Sequence, residues 1–353
     1  MFSHPEHDGH EVVLHAHHAA TGLRAILALH STALGPAFGG CRMHPYADEA
    51  QALSDVLRLS RSMTYKAAIC ELPYGGGKAV IIGDPKRDKT PALLHAMGGV
   101  IEGLGGRYIA ADDVGTTLAD LAVMRMVTRH TAAATSAAQA PLAVTAYGVL
   151  MALEATVEQV LGRRELAGLT IAVQGLGTVG YPLCGYLHER GAKLVVTDLD
   201  PERVTKAQAA FAATAVAADA IYDQEADLFA PCALGAVLNE RTIPRLRARI
   251  VCGGANNQLA RAAHHALLVA RGITFVPDYL ASAGGVIDFH QEAIDDRPEA
   301  VLRAVERLRA ITRDVLRRAQ LSGEPPLVVA NRMVQERVQA AAARHALWAV
   351  PRA

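Results

Sequence analysis

The stretch that most restricts the fold is LTIAVQGLGTVGYPLCGYLHERGAKLVVTDLD, residues 169–200. An apolar strand runs into Gly175, Leu176, Gly177, Thr178, Val179 and Gly180. A helical pattern follows, and a second apolar strand, KLVVT, ends at Asp198. Glycines in the order G-x-G-x-x-G allow a tight turn, a close backbone approach and close helix–strand contact. The helix N-terminus then faces the charge of a pyrophosphate. An acidic residue about 20 positions on accepts hydrogen bonds from the ribose hydroxyls and repels a 2′-phosphate, so the expected dinucleotide is NAD and not NADP. Further apolar strands at 226–230, 249–252 and 273–276 alternate with helical or loop stretches, which predicts a parallel sheet with helices on both faces.

A chain of 353 residues exceeds one ordinary core, so two domains are expected. Thirty-five basic residues balance thirty-five acidic ones, giving no basic surplus for nucleic acid. That balance favours a small-molecule substrate. Five scattered cysteines without a C-x-x-C pair fit a reduced, cytoplasmic chain. MFSHPEHDGH lacks the basic and apolar regions of a signal peptide. The alanine-rich stretch 132–161 is interrupted by Gln139, Pro141, Glu154, Glu158 and Gln159, so no membrane span is expected. The histidines at 4, 7, 10, 15, 17 and 18 lack a completing ligand set, and they read as a solvated edge strand with no metal.

Ahead of the dinucleotide region, residues 10–30 read as a hairpin around Thr21-Gly22. GPAFGGCRM reads as a glycine-punctuated loop, and 48–68 as a helix capped by Asp48. LPYGGGKAV (72–80) places Lys78 behind three glycines. A phosphate loop needs a glycine where Leu72 stands and a hydroxyl where Ala79 stands, so this reads as a GGGK loop of another kind, followed by a short buried strand. Charged residues inside apolar or glycine-rich segments here are Arg42, Lys66, Lys78, Asp112 and Asp113. A long helix, 142–162, opens the second region, and the chain beyond 298 is helical apart from Gly323–Pro326.

LGPAFGGCRM, MTYKAA, GGGKAVIIGDP, ADDVGTT, VTAYGV, QGLGTVG, APCALG, CGGANNQL and PDYLASAGGVI occur in this order. Together they resemble the leucine/phenylalanine/valine branch of the amino-acid dehydrogenases, relatives of glutamate dehydrogenase. The resemblance implies an α/β protein with two domains. An N-terminal α/β substrate domain (1–138, with helices 326–353 returning to it) precedes a Rossmann-type NAD domain (139–325), and the active site lies in the cleft between them. The implied reaction is oxidative deamination of an L-amino acid to a 2-oxo acid and ammonium, by a homo-oligomer.

The resemblance also implies roles. Lys78 is the catalytic lysine, expected to titrate nearer neutrality beside a second cation, and Asp113 shuttles a proton at the amino group. Lys66 holds the substrate carboxylate, with Gly39, Gly40 and Asn257 nearby. Thr145, Arg42, Arg203, Cys232, Ala233 and Asn256 lie on the cofactor side with the glycine turn and Asp198. Phe38, Ala111, Leu280 and Val286 border the side-chain pocket. All four are apolar, which excludes a glutamate-type substrate but leaves leucine, valine, phenylalanine and tryptophan open. Ser282 stands where the family more often has asparagine. Two other classes compete: a non-catalytic NAD-binding sensor, and a malate- or folate-type dehydrogenase, for which neither metal ligands nor a pterin-sized pocket are seen.

Overall fold

The computed structural model describes residues 2–132 and 143–348. The expected domain boundary at 138–139, Gln139, Pro141 and the expected helix start at Leu142 lie outside the described residues. The chain divides into two compact units, Met1–Ala137 with Val334–Ala353, and Ala138–Met333.

The first unit contains β1 (Val12–His18), β2 (Leu23–Ser31), β3 (Ala37–His44), α1 (Glu49–Ile69), β4 (Gly75–Ile82), α2 (Pro91–Glu102), β5 (Tyr108–Ala111) and α3 (Leu118–Arg125). The hairpin β1–β2 turns at Gly22, whose φ of 71° is the left-handed conformation that glycine adopts freely. The sheet order is β1-β2-β4-β3-β5. β2 is antiparallel to β1 and β4, while β3, β4 and β5 are parallel. Parallel neighbours require crossovers, and α1 supplies the one from β3 to β4. Its N-cap is the expected Asp48, whose side chain accepts from the Gln51 amide at 2.7 Å. Ala52, Val56 and Leu57 on its inner face pack with Ile26, Ala28 and Val80 of the sheet.

Two segments expected as loops are central strands: GPAFGGCRM contributes β3, and the glycine run opens β4. None of Gly39, Gly40, Gly75, Gly76 or Gly77 has a positive φ. These glycines supply room and not conformational freedom. A Cβ on Gly76 would lie 2.0 Å from the Thr64 amide nitrogen, and one on Gly75 would lie 1.9 Å from the Ser31 carbonyl oxygen. α1 therefore rests its backbone directly on β4, which a side chain there would prevent.

The second unit contains α4 (Val144–Leu161), β6 (Thr170–Gln174), α5 (Gly180–Glu189), β7 (Lys193–Thr197), α6 (Pro201–Phe211), β8 (Thr214–Ala215), β9 (Leu228–Pro231), β10 (Ile250–Val251), α7 (His265–Ala270), β11 (Thr274–Phe275), α8 (Asp278–Ala281), α9 (Gly284–Glu292) and α10 (Pro298–Ser322). The last helix, α11 (Pro326–Trp348), continues into the first unit. All six strands are parallel, in the order β11-β10-β9-β6-β7-β8. The chain winds outward one way from β6 and the other way from β9. That is the doubly wound order, with its crevice at the C-terminal ends of β6 and β9. α4 is long and apolar enough to cross a membrane by length and composition, but most of it is buried inside its unit. Its buried Glu154 is paired with Arg190 at 3.2 Å and Arg309 at 3.3 Å. This is a core helix.

The histidines do not all behave as a solvated strand. His15, His17 and His18 are exposed on β1, but His10 is only 7% exposed. Its Nδ1 accepts from the Asp8 amide at 3.2 Å, and its Nε2–H donates to the Leu57 carbonyl at 3.0 Å. Those partners suit the neutral ring, and the His30 ring stacks edge-on at 4.9 Å. Burial, then the proximity of His30, push His10 down from 6.5 to about 4. The unfolded chain takes up this proton near its ordinary value and the folded chain only near 4. The stability from neutral His10 is therefore complete above about pH 6.5 and is lost as pH falls toward 4. In thermal melts across that window, wild type should lose more melting temperature than His10→Gln; parallel curves would refute this account.

Candidate active site

In the first unit the charged candidates are carried on neighbouring strands. β4 presents Lys78, and β3 presents Arg42 across the parallel ladder. The turn after β5 presents Asp113, whose amide donates to Thr116 Oγ1 at 3.0 Å, while Thr116 donates to the Cys41 carbonyl at 2.7 Å. Lys78 Nζ lies 2.6 Å from Asp113 Oδ2, with the two side chains 6% and 16% exposed. Arg42 Nε donates to the same oxygen at 2.9 Å. Burial alone would raise the Asp113 carboxyl, but the charges of Lys78 and then Arg42, with their hydrogen bonds, hold it far below the usual carboxylate range. Asp112 beside it is shifted up, chiefly by burial. The ammonium of Lys78 and the carboxylate of Asp113 are thus in direct proton-transfer contact.

Gly40 forms a floor without a side chain under this pair, whereas Gly39 faces the other side of β3, toward Met63 of α1. A Cβ on Gly40 would lie 2.7 Å from Asp113 Cβ and 2.8 Å from Lys78 Nζ, and one on Gly39 would lie 1.9 Å from the Gly77 carbonyl oxygen. The Tyr108 hydroxyl donates to the Gly39 carbonyl at 2.7 Å, with the Gly40 carbonyl at 3.1 Å. Lys66 is buried in the last turn of α1, as its place in MTYKAA suggests. Phe38 is buried against Tyr74, with ring centroids 5.8 Å apart, and Ala111 is half-buried at the end of β5.

In the second unit, the glycine turn leaves β6 at the switch point. Gly175 has φ of 93°, and a Cβ there would lie 2.8 Å from the Ala233 amide nitrogen. One on Gly180 would lie 1.8 Å from the Gly175 carbonyl oxygen and 3.1 Å from Cys232 Cβ. At Gly177 the nearest heavy atom is Arg203 Nη1 at 3.7 Å, so this backbone faces open space. A half-buried glycine with open space at its Cβ position, ahead of α5, which begins at Gly180, fits a pyrophosphate. Leu176, Thr178 and Val179 complete the turn, and Val179 lies where a Cβ on Gly254 would fall, 2.5 Å from Cγ1. Asn256 and Asn257 follow β10, their carbonyl oxygens 2.5 and 2.7 Å from a Cβ on Gly235. Asn257 has a left-handed φ of 51°. Burial pushes the Cys232 thiol up to about 11, so it is un-ionised at neutral pH.

Asp198 meets the turn directly. Its Oδ2 accepts from the Leu176 amide at 2.5 Å, its Oδ1 accepts from the Asp200 amide at 2.9 Å, and Arg203 Nη1 is 3.9 Å away. A carboxylate has about four lone-pair sites, which leaves acceptor capacity for a ribose. Thr145 opens α4 beside α9, its Oγ1 3.4 Å from a Cβ on Gly285. Leu280 and Val286 are buried on α8 and α9, and Ser282 between them donates to the Asp278 carbonyl at 2.6 Å.

Four further residues border the charged cluster without a local sequence signal: Tyr46, Asp55, Tyr108 and Thr116. Asp55 accepts from Arg42 Nη1 at 2.8 Å and from the Tyr46 hydroxyl at 2.6 Å. It lies on the exposed-looking stretch of an amphipathic helix, and nothing local marks it.

Comparison with known proteins places these features in a family. Residues 10–130 match the family model described as Glu/Leu/Phe/Val dehydrogenase, dimerisation domain. Residues 198–346 match that described as Glutamate/Leucine/Phenylalanine/Valine dehydrogenase. A leucine dehydrogenase of Thermoactinomyces intermedius is 44% identical, covering 96% of this chain and 93% of that protein. A phenylalanine dehydrogenase of Bacillus thermotolerans is 42% identical, covering 95% and 90%. The crystal structure of L-tryptophan dehydrogenase from Nostoc punctiforme superposes with a TM-score of 0.78 at 40% identity, covering 94% and 97%.

Removing the Asp113 carboxylate leaves two buried cations facing each other. Asp113→Ala should therefore cost about 3–5 kcal/mol of stability, read as a lowered urea midpoint, and Lys78→Met in the same background should restore part of it. An unchanged midpoint in Asp113→Ala would contradict the ion cluster described here.

Proposed function

Since the chain belongs to the Glu/Leu/Phe/Val dehydrogenase family and is thereby an amino-acid dehydrogenase, we propose that it catalyses reversible, NAD-dependent oxidative deamination of a hydrophobic L-amino acid of leucine or phenylalanine type. The observation that carries this reading is the buried Lys78–Asp113 contact of 2.6 Å over glycine backbone. In the proposed assignment, 1–138 with 326–353 forms the substrate domain and 139–325 the NAD domain. The dimerisation label of the matched N-terminal family supports a homo-oligomer.

When bound, the nicotinamide accepts the hydride that leaves the substrate Cα. Lys66 holds the α-carboxylate, fixing Cα in place. Asp113 takes a proton from the ammonium so that nitrogen's lone pair can drive hydride departure and form the iminium. Lys78 gives up its ammonium proton to solvent and, as the amine, takes a proton from the water that attacks the iminium carbon, and Asp113 returns a proton to the departing nitrogen. With amino acid, NAD⁺ and water entering, the products are 2-oxo acid, ammonium, NADH and one proton. In the second unit, Gly175, Gly177 and Gly180 with Leu176, Thr178 and Val179 would hold the pyrophosphate, and Asp198 with Arg203 the adenosine ribose. Thr145, Cys232, Ala233 and Asn256 would flank the cofactor, and Asn257 the substrate. Phe38, Ala111, Leu280 and Val286 are the proposed apolar determinants.

The test is NADH formation at mildly alkaline pH from L-leucine, L-valine, L-phenylalanine, L-tryptophan and L-glutamate, offered singly. Turnover is expected with leucine or phenylalanine, and Lys78→Ala should lose at least 100-fold in kcat, on the order of a general acid–base contribution. Turnover of tryptophan alone would make this a tryptophan-type enzyme. NAD binding without turnover of any amino acid would replace the proposal with a sensor.

A further inference from the structure

The charged cluster extends past the groups that the proposed chemistry uses. The Arg42 side chain is 14% exposed, and two of its nitrogens are engaged by different carboxylates: Nε by Asp113 at 2.9 Å and Nη1 by Asp55 at 2.8 Å. The Tyr46 hydroxyl donates to the same Asp55 oxygen at 2.6 Å. Burial, then the Asp55 charge, push that hydroxyl far up, so it stays a donor throughout the working range. The His44 ring stacks edge-on against Tyr46 at 4.9 Å, fixing its orientation. On the other side, Arg42 and Lys78 converge on a single oxygen, Asp113 Oδ2. No hydrogen bond from the described residues is seen to reach Asp113 Oδ1. Two positive and two negative side chains therefore form one nearly neutral chain, Tyr46–Asp55–Arg42–Asp113–Lys78.

An arginine held by one carboxylate alone can swing about its long stem. Held at two nitrogens, its plane is fixed, because the guanidinium presents its donors in a rigid fork. We infer that Asp55, backed by Tyr46, is a positioning residue for the deamination: it fixes Arg42 so that Arg42 and Lys78 both occupy Oδ2 of Asp113 and Oδ1 is left to exchange the proton of the amine. The inference rests on the function proposed above. It gives Arg42 a place between two carboxylates of its own unit, where the resemblance had put it on the cofactor side.

Among the described residues, Asp112 beside it, Cys41 on β3 and Tyr108 on β5 are further ionisable groups in the field of Asp113. Burial pushes the Cys41 thiol up to about 12 and holds the Tyr108 hydroxyl well above its ordinary range, so neither competes for protons. Asp112, shifted up by burial, is the neighbour that could titrate in an acidic scan.

The test is a mutant cycle on kcat and KM. Asp55→Ala should lower kcat on the order of tenfold with KM little changed, the signature of misplacement within a bound complex. Asp55→Asn keeps an acceptor for Arg42 and should lose no more than a few-fold. In an Arg42→Met background, Asp55→Ala should cost nothing further, because its only route to Asp113 is gone. Equal losses in the Ala and Asn variants, or losses that multiply with Arg42→Met, would overturn the inference. Should Asp55→Ala fail to fold, Tyr46→Phe serves in its place, with a smaller loss that also vanishes in the Arg42→Met background. If wild type turns over no amino acid, the functional reading fails by itself, and the positioning is then read from carboxyl-carbon NMR of Asp113. Its titration should move up in Asp55→Ala, or in Tyr46→Phe if that replaces it, relative to wild type and Asp55→Asn. An unmoved titration would sink it independently of activity.

Discussion

The convergence of Lys78 and Arg42 on one oxygen of Asp113 is the contact around which the first unit is arranged. Charges this deep are tolerated only when paired and hydrogen-bonded, since each desolvated ion costs several kcal/mol on its own. The pairing demands that three strands bring their side chains to one point. β3 and β4 must run parallel, β5 must end where Asp113 can turn back, and nothing may project from Gly40. The mixed sheet, with α1 as its crossover, meets those demands at once.

The second unit solves a different problem with the same residue type. Gly175 is needed for its positive φ, Gly180 for close contact, and Gly177 because the space above it is left open. In the first unit the glycines of β3 and β4 have ordinary extended backbones and are needed only because neighbouring backbone or side-chain atoms occupy the place of a Cβ.

That contrast explains what could be read from the sequence and what could not. The strand–turn–helix–strand unit around residues 170–198 is a local pattern, and the parallel doubly wound sheet follows from it. Lys78 and Asp113 stood out because charged residues in apolar or glycine-rich segments are expensive unless used. The strand character of GPAFGG and GGGK was hidden, because glycine signals a turn by default and the crowding that requires it comes from Thr64, Ser31 and Tyr108, distant in sequence. Asp55 and Tyr46 were hidden for the same reason: their partner Arg42 is on another element. His10 gave no local sign of burial, since Leu57 and Ser60 on α1 provide its site. β8, only two residues long, fell below any periodicity.

Placing Lys78 on a central strand instead of a loop has a thermodynamic consequence. A free lysine side chain carries roughly 1.5–2 kcal/mol of rotamer entropy, and a glycine-rich loop would add backbone freedom at every position. Here strand pairing on both sides of β4 and the contact with Asp113 remove that freedom during folding. A ligand meeting Nζ finds it already ordered, so little further ordering of the protein opposes association at this atom.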